Sequence, residues 1–98
     1  MNKKEIEGIF RRLNLLADFK EQAPVLLWPE AIGERLAASS TALHVKDGTL
    51  HVRVTSSTAG EEIRLKSEGL IKRLNELSGR PVVRRIKIEV GGKGERPD

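Results

Sequence analysis

Alternating apolar and polar residues over positions 41–54 predict a β-hairpin. Asp47-Gly48 lies between the two alternating runs and favours a two-residue type I′ turn, because Gly tolerates positive φ and Asp nearly does. This turn would place Leu43 opposite Val52 and His44 opposite His51. The face expected in the core carries Leu43, Val45, Leu50, Val52 and Val54. The polar and basic face carries Ala42, His44, Lys46, Thr49, His51 and Arg53.

Helical spacing after the hairpin predicts one long amphipathic helix from Ser57 to Ser78. Thr58 to Glu61 fits a capping box at its start. Gly79, followed by Pro81, favours a left-handed cap and a stop at its end. The apolar stripe of this helix consists of Ile63, Leu70, Ile71, Leu74 and Leu77.

Two helical segments are predicted before the hairpin. Apolar residues keep helical spacing from about Lys3 to Lys20. Pro24 opens a shorter segment, and Pro29 either kinks this segment or marks its first turn. Its apolar positions, Trp28, Ile32 and Leu36, step by four.

The period of two returns from Val82 to Val90 and predicts a third strand, with Ile86, Ile88 and Val90 on its apolar face. The elements then follow the order helix, helix, strand, strand, helix, strand. We expect an α+β fold of the order ααββαβ, with a three-stranded sheet that carries its helices on one face. The helix Lys3–Lys20 is expected to pack beside the helix Ser57–Ser78.

The length of 98 residues and the absence of a composition break indicate one domain, expected over residues 1–90. Residues 91–98, GGKGERPD, are expected to be a disordered tail. The sequence contains no cysteine, which excludes disulfides and cysteine-ligated zinc. No apolar run is long enough to cross a bilayer, and no apolar signal core follows the first lysines. We therefore expect a cytoplasmic protein without membrane contact.

Charge is distributed unevenly along the chain. The net charge is +4, and residues 41–90 hold ten basic and six acidic side chains. A basic surface of this kind is typical of nucleic-acid binding proteins, although basic side chains on a sheet also keep proteins soluble. With three aromatic residues in the whole chain, contact through base stacking is not expected, so that binding would be directed to phosphates.

Two surfaces compete as the site of nucleic-acid binding. On the sheet, the candidates are Lys46, His51, Arg53, Arg85 and Lys87. On the long helix, the candidates are Arg64, Lys66, Lys72 and Arg73. The sheet is slightly favoured.

Catalytic constellations are missing from the sequence. No GxxxxGK[ST] loop is present to hold a nucleotide triphosphate. His44 and His51 face each other, but two ligands without a third leave a metal site incomplete. Glu61 and Glu62 are explained by the first turn of a helix. We therefore expect no enzyme activity, no cofactor, no metal and no small-molecule substrate.

An ordered set of residues resembles the DciA family of bacterial replicative-helicase loaders. The residues that carry the resemblance span about two thirds of the chain: Trp28, Ile32-Gly33-Glu34, Leu36-Ala37, Asp47-Gly48-Thr49-Leu50, Val52, Val54, Ser56-Ser57-Thr58, Glu62-Ile63, Leu74-Asn75 and Ile86. The resemblance implies a KH-like domain that binds DNA, and we expect this DNA to be single-stranded or branched. It also implies association with the replicative helicase DnaB, which the family helps to place on single-stranded DNA at replication initiation.

Two departures from the family pattern and one from true KH domains are visible. Ala59 stands where the family commonly has an aromatic residue, and only eight residues follow Val90 where many members have a long extension. The GxxG element of true KH domains is absent from the helix junction at Glu21 to Pro24. Two alternatives therefore stay open, a small KH-like RNA-binding module and a protein-interaction adaptor.

Overall fold

The computed structural model describes residues 21–91. Its helices are α1 (Ala23–Ile32), α2 (Glu34–Ala37), α3 (Ser57–Leu65) and α4 (Ser67–Ser78), and its strands are β1 (Ser40–Lys46), β2 (Thr49–Val54) and β3 (Arg85–Val90). The helix expected over Lys3–Lys20 and nearly all of the tail expected over 91–98 lie outside these residues. None of the helices within 21–91 has the length and apolar character that spanning a membrane requires.

The three strands form one mixed sheet in the order β1-β2-β3. β1 and β2 are antiparallel, whereas β2 and β3 are parallel. The parallel pair is possible because residues 55–84, with α3 and α4, carry the chain back to the end at which β2 began. The expected α+β class with a three-stranded sheet is confirmed. The arrangement is compatible with a small KH-like ααββαβ fold.

The core lies between the helices and one face of the sheet. Its buried members are Trp28, Leu36, Val45, Leu50, Val52, Val54, Ala59, Ile63, Leu70, Leu74 and Val83. Gly60 lets α3 approach the sheet closely, because a Cβ there would lie 3.3 Å from the methyl groups of Val54 and Ile88. Within residues 21–91, α3 therefore packs on the sheet face that these two residues occupy.

The hairpin turn adopts the expected conformation, with φ of 51° at Asp47 and 79° at Gly48. Near the turn the expected register is also confirmed, since Val45 pairs with Leu50 and His44 pairs with His51.

Farther from the turn the expected register is wrong. A β-bulge lies between Ala42 and His44, so Val52 pairs with Ala42 and not with Leu43. The extra residue shifts the alternation of side chains by one position. Ala42, which was expected on the polar face, therefore packs against the core.

The helix expected over Ser57–Ser78 is divided at Lys66, which separates α3 from α4. The ψ angle of Lys66 is 4°, outside the helical range, and its N–H donates to the carbonyls of both Glu62 and Ile63. The start of the helix also differs from expectation. Ser56, and not Thr58, is the N-cap, because its hydroxyl accepts a hydrogen bond from the N–H of Ala59 at 3.1 Å.

The end of α4 follows the sequence prediction, with Gly79 in the left-handed conformation at φ 80°. The third strand, however, begins at Arg85 and not at Val82. Asn75 explains the later start, since its amide donates to the carbonyl of Val83 at 2.9 Å and accepts from the N–H of Val83 at 2.8 Å. Val83 is thereby held against α4 and does not join the sheet.

The first helix contains both of the early prolines. Pro24 lies in the first turn of α1 and Pro29 lies inside the helix, so Pro29 is not its start. Just before α1, Gln22 covers part of the outer edge of β1. Its side-chain oxygen accepts from the N–H of Val45 at 2.8 Å, and its amide donates to the carbonyl of Val45 at 3.0 Å.

Candidate nucleic-acid interface

The sheet face turned away from the core, here called the open sheet face, carries its side chains in three rows. The register of the strands defines the rows as Lys46, Thr49 and Arg85, then His44, His51 and Lys87, then Thr41, Arg53 and Glu89. Successive rows lie about 7 Å apart, because alternate residues of a strand share a face. The bulge in β1 is what brings Thr41 rather than Ala42 to this face.

Residues of the first two rows other than His44 line a groove with a volume of about 520 Å³. Its walls are formed by Lys46, Asp47, Thr49, His51, Arg85, Ile86 and Lys87. The three cations Lys46, Arg85 and Lys87 are exposed, and none of them forms an ion pair with any residue in 21–91. Asp47 is the one acidic residue of the lining, so the groove presents three cations and one carboxylate to an anion, with a net positive charge.

The hairpin turn is tied to the start of β3. The carbonyl of Gly48 accepts hydrogen bonds from the N–H groups of Arg84 at 2.7 Å and Arg85 at 3.1 Å. The guanidinium of Arg84 also donates to the carbonyl of Asp47 at 3.1 Å. These bonds fix the distance between β1 and β3 at the mouth of the groove, where Lys46 and Arg85 lie on either side.

His44 and His51 stack on each other in the second row. Their ring centroids are 4.5 Å apart and their planes differ by 17°. His44 is exposed and His51 is half-buried, in agreement with their expected place on the polar face. Within residues 21–91 no group of three or more His, Cys, Asp or Glu side chains could hold a metal ion.

The third row is electrically balanced. Arg53 donates from Nε to a carboxylate oxygen of Glu89 at 2.9 Å, and this pair lies across the parallel β2–β3 ladder. Arg53 therefore lies on the predicted face but is partly neutralised there. The positive charge of the open sheet face is concentrated in the groove.

On the helical side, two of the four candidate cations are paired with carboxylates, whereas Lys72 and Arg73 form no ion pair within residues 21–91. Arg64 donates to Glu61 one turn earlier, and the ammonium of Lys66 lies 3.3 Å from Glu62. Arg35 from α2 also donates two hydrogen bonds to Glu62. This contact with Arg35 lowers the pKa of Glu62 below its ordinary value and raises the pKa of Arg35 above its own.

The two candidate surfaces thus differ in net charge. Residues 57–78 contain four basic side chains and four acidic ones, whereas the open sheet face contains four basic side chains and one acidic one. Lys72 and Arg73 are exposed on α4, on the other side of the sheet from the groove. The electrostatic potential over the open sheet face is therefore expected to be the more positive.

The structure brings together four of the nine residues predicted from sequence, namely Lys46, His51, Arg85 and Lys87. Arg53 lies beside them, while Arg64, Lys66, Lys72 and Arg73 lie on the opposite side of the molecule. Sequence reasoning missed Asp47 and Thr49 as groove residues. It also missed Arg84, which donates hydrogen bonds to the carbonyls of Asp47 and Gly48 in the turn. Asp47 and Thr49 could have been found from the hairpin, whereas Arg84 depends on the parallel pairing of β3.

Comparison with known protein families gives a match over residues 5–88 to the family described as Dna[CI] antecedent, DciA. The chain belongs to the DciA family. The match covers most of the sequence and confirms the resemblance seen in the ordered set of residues. A comparison with curated proteins finds no match.

Membership of the DciA family supports a role in bacterial DNA replication of the type in which DnaB helicase is loaded. DnaB is the partner with which this family is associated, and the family is one of loaders rather than of catalysts.

Proposed function

We propose that this chain is a non-enzymatic, cofactor-free DNA-binding protein of the cytoplasm, which assists the placement of DnaB on DNA at replication initiation. The DNA is single-stranded or branched, and its phosphates bind in the groove of the open sheet face. The single observation that carries the proposal is the cluster of Lys46, Arg85 and Lys87, which lack acidic partners among the described residues.

The shape of the groove supports phosphate contact more than base reading. The groove is open, and His51 supplies the one ring among its lining residues, with a face already stacked on His44. Lys and Arg neutralise phosphates without reading the sequence, so that affinity should depend little on base order. Rows about 7 Å apart also place successive cations along the strands at intervals that an extended sugar–phosphate chain can follow.

Salt dependence tests this mode of binding. For single strands, each neutralised phosphate adds about 0.7 to the slope of log affinity against log salt. Three contacts therefore predict a loss of about 20-fold in affinity when salt rises from about 50 to about 200 mM. Fluorescence anisotropy with labelled single-stranded and forked DNA would measure this loss.

Two triple variants with the same net charge separate the two surfaces. The sheet triple is Lys46→Ala with Arg85→Ala and Lys87→Ala, and the helix triple is Arg64→Ala with Lys72→Ala and Arg73→Ala. Each removes three positive charges from a chain of net charge +4. The sheet triple should lose about two units of salt slope, whereas the helix triple should keep most of it.

Other outcomes would change the proposal. An equal loss in both triples would indicate a diffuse field, and a greater loss in the helix triple would move the site to α4. Flat isotherms at low salt, with purified DnaB still retained by the chain, would favour the protein-interaction adaptor. Equal or tighter binding of RNA of the same sequence would favour the KH-like RNA-binding module.

A further inference from the structure

The two edges of the sheet differ in the hydrogen bonding of their outward backbone groups. The outer edge of β1 is covered at Val45, where the amide of Gln22 binds both backbone groups. β3 is the strand at the opposite edge, and within residues 21–91 no other segment pairs with its outer side. An unpaired strand edge is a template for another strand.

The backbone groups that β3 presents at this edge can be identified. Arg85 and Gly91 direct their N–H groups toward the carbonyls of Gly48 and Val54, on the β2 side. Because successive residues of a strand point their backbone groups to alternate sides, Ile86, Ile88 and Val90 direct theirs outward. Val90 is also one of the few large apolar side chains that stay exposed, with 58% of its surface accessible.

The charges of β3 are complementary to those of a second β3 strand. If two copies pair antiparallel about Ile88, Lys87 of each copy lies opposite Glu89 of the other, and Ile86 lies opposite Val90. The outward backbone groups of Ile86, Ile88 and Val90 then form about six hydrogen bonds between the copies. Lys87 and Glu89 form pairs without backbone hydrogen bonds, in which side chains approach most closely.

Neighbouring registers are less favourable. A shift to pairing about Lys87 places two lysines opposite each other between two Arg85–Glu89 pairs, and pairing about Ile86 places Arg85 opposite Lys87. Each of these registers brings like charges together, whereas pairing about Ile88 brings none. The ion pair of Glu89 with Arg53 is no obstacle, because a carboxylate accepts several hydrogen bonds.

We propose that β3 is a self-association edge, through which two copies of this chain form a six-stranded sheet with antiparallel β3 strands paired about Ile88. The two-fold axis is perpendicular to the sheet, so the two open sheet faces lie on the same side. A strand of this length spans only about 20 Å, and its interface is smaller than the roughly 1,000 Å² of stable complexes. The dimer is therefore weak, with a dissociation constant of about 0.1–1 mM.

Charge reversal tests the register in the absence of DNA. Sedimentation equilibrium of the full chain, up to about 1 mM, should show wild-type dimers. Lys87→Glu alone and Glu89→Lys alone should each weaken the dimer about tenfold or more, because both create like-charge pairs. The double variant K87E/E89K should recover most of the lost affinity, which no purely structural role of either residue would explain.

Two further variants test the backbone pairing. Val90→Pro removes an outward N–H without touching the β2–β3 ladder and should weaken the dimer, whereas Val90→Thr keeps the N–H and should preserve it. Since the chain has no cysteine, oxidising a mixture of Lys87→Cys and Glu89→Cys chains should cross-link faster than either variant alone. A monomeric wild type throughout the series, no recovery in the double variant, or faster cross-linking of Lys87→Cys alone would overturn the proposal.

Discussion

The buried hydroxyl of Ser40 in β1 forms hydrogen bonds with residues of α1 and α2. We expect its removal to lower the free energy of unfolding. Trp28 in α1 donates from its indole N–H to Ser40 Oγ at 2.9 Å, and Ser40 Oγ donates to the carbonyl of Leu36 in α2 at 2.7 Å. Trp28 is 1% exposed and Ser40 is 9% exposed. The variant Ser40→Ala removes both bonds without adding volume.

The loss in free energy of unfolding depends on which hydrogen bonds Leu36 and Trp28 keep in Ser40→Ala. The carbonyl of Leu36 keeps the N–H of Ser39 at 3.1 Å and is therefore not orphaned. The indole N–H of Trp28 would have no acceptor among its described neighbours, and an unsatisfied buried donor costs about 1–3 kcal/mol. For a domain of this size, a loss of about 2 kcal/mol lowers the melting temperature by roughly 8–16 °C.

Urea unfolding measures this cost directly. The midpoint should fall in Ser40→Ala while the m-value stays unchanged, because the surface exposed on unfolding hardly differs. Ser39→Ala is the matched control, since it makes the same substitution one residue earlier, at a side chain that donates no hydrogen bond to the described residues. A free energy of unfolding for Ser40→Ala within about 0.5 kcal/mol of that control would refute the reasoning.

Two more predictions concern a loop and an ion pair. Asn75→Ala removes both hydrogen bonds to the backbone of Val83 and should lower the free energy of unfolding by about 1–3 kcal/mol. The control Glu76→Ala, at an exposed neighbour, should change it little, and urea titrations would measure both variants. Arg35→Ala should raise the pKa of Glu62 toward its ordinary value, observed by NMR titration of the carboxyl carbon. Since the folded-state pKa is the lowered one, the pair stabilises the wild type above the ordinary pKa, and this stabilisation is lost as pH falls through the lowered pKa. An unchanged pKa in Arg35→Ala would show that the ion pair is absent in solution.

Local turn chemistry made much of the fold predictable. Asp47-Gly48 determines the turn and the pairing of the nearest residues, and Gly79 ends α4 where expected. The bulge was not predictable, because Ala42 and Leu43 are both apolar and either can face a core. The sequence signals for a divided helix were Leu65, an apolar residue outside the apolar stripe, and Gly69, a weak helix former. In the structure Leu65 is 78% exposed, beside the break at Lys66.

The candidate site was only partly accessible to sequence reasoning. Side chains on one strand face follow from alternation, so Lys46 and His51 could be assigned together. The register of β3 against β2 could not be predicted from the sequence, because the long connection between two parallel strands does not fix which residues pair. The pairing of Arg53 with Glu89, which removes Arg53 from the uncompensated cations, depends on that register.

The hydrogen bonds between the hairpin turn and the start of β3 have a consequence for protein engineering. The tip of a β-hairpin is ordinarily a safe place for an affinity tag or an inserted loop. Here Gly48 restricts that freedom, because its carbonyl accepts hydrogen bonds from the N–H groups of Arg84 and Arg85, and its φ of 79° disfavours a residue with a side chain. Lengthening this turn would displace the first residues of β3, so reporters for this protein belong elsewhere on its surface.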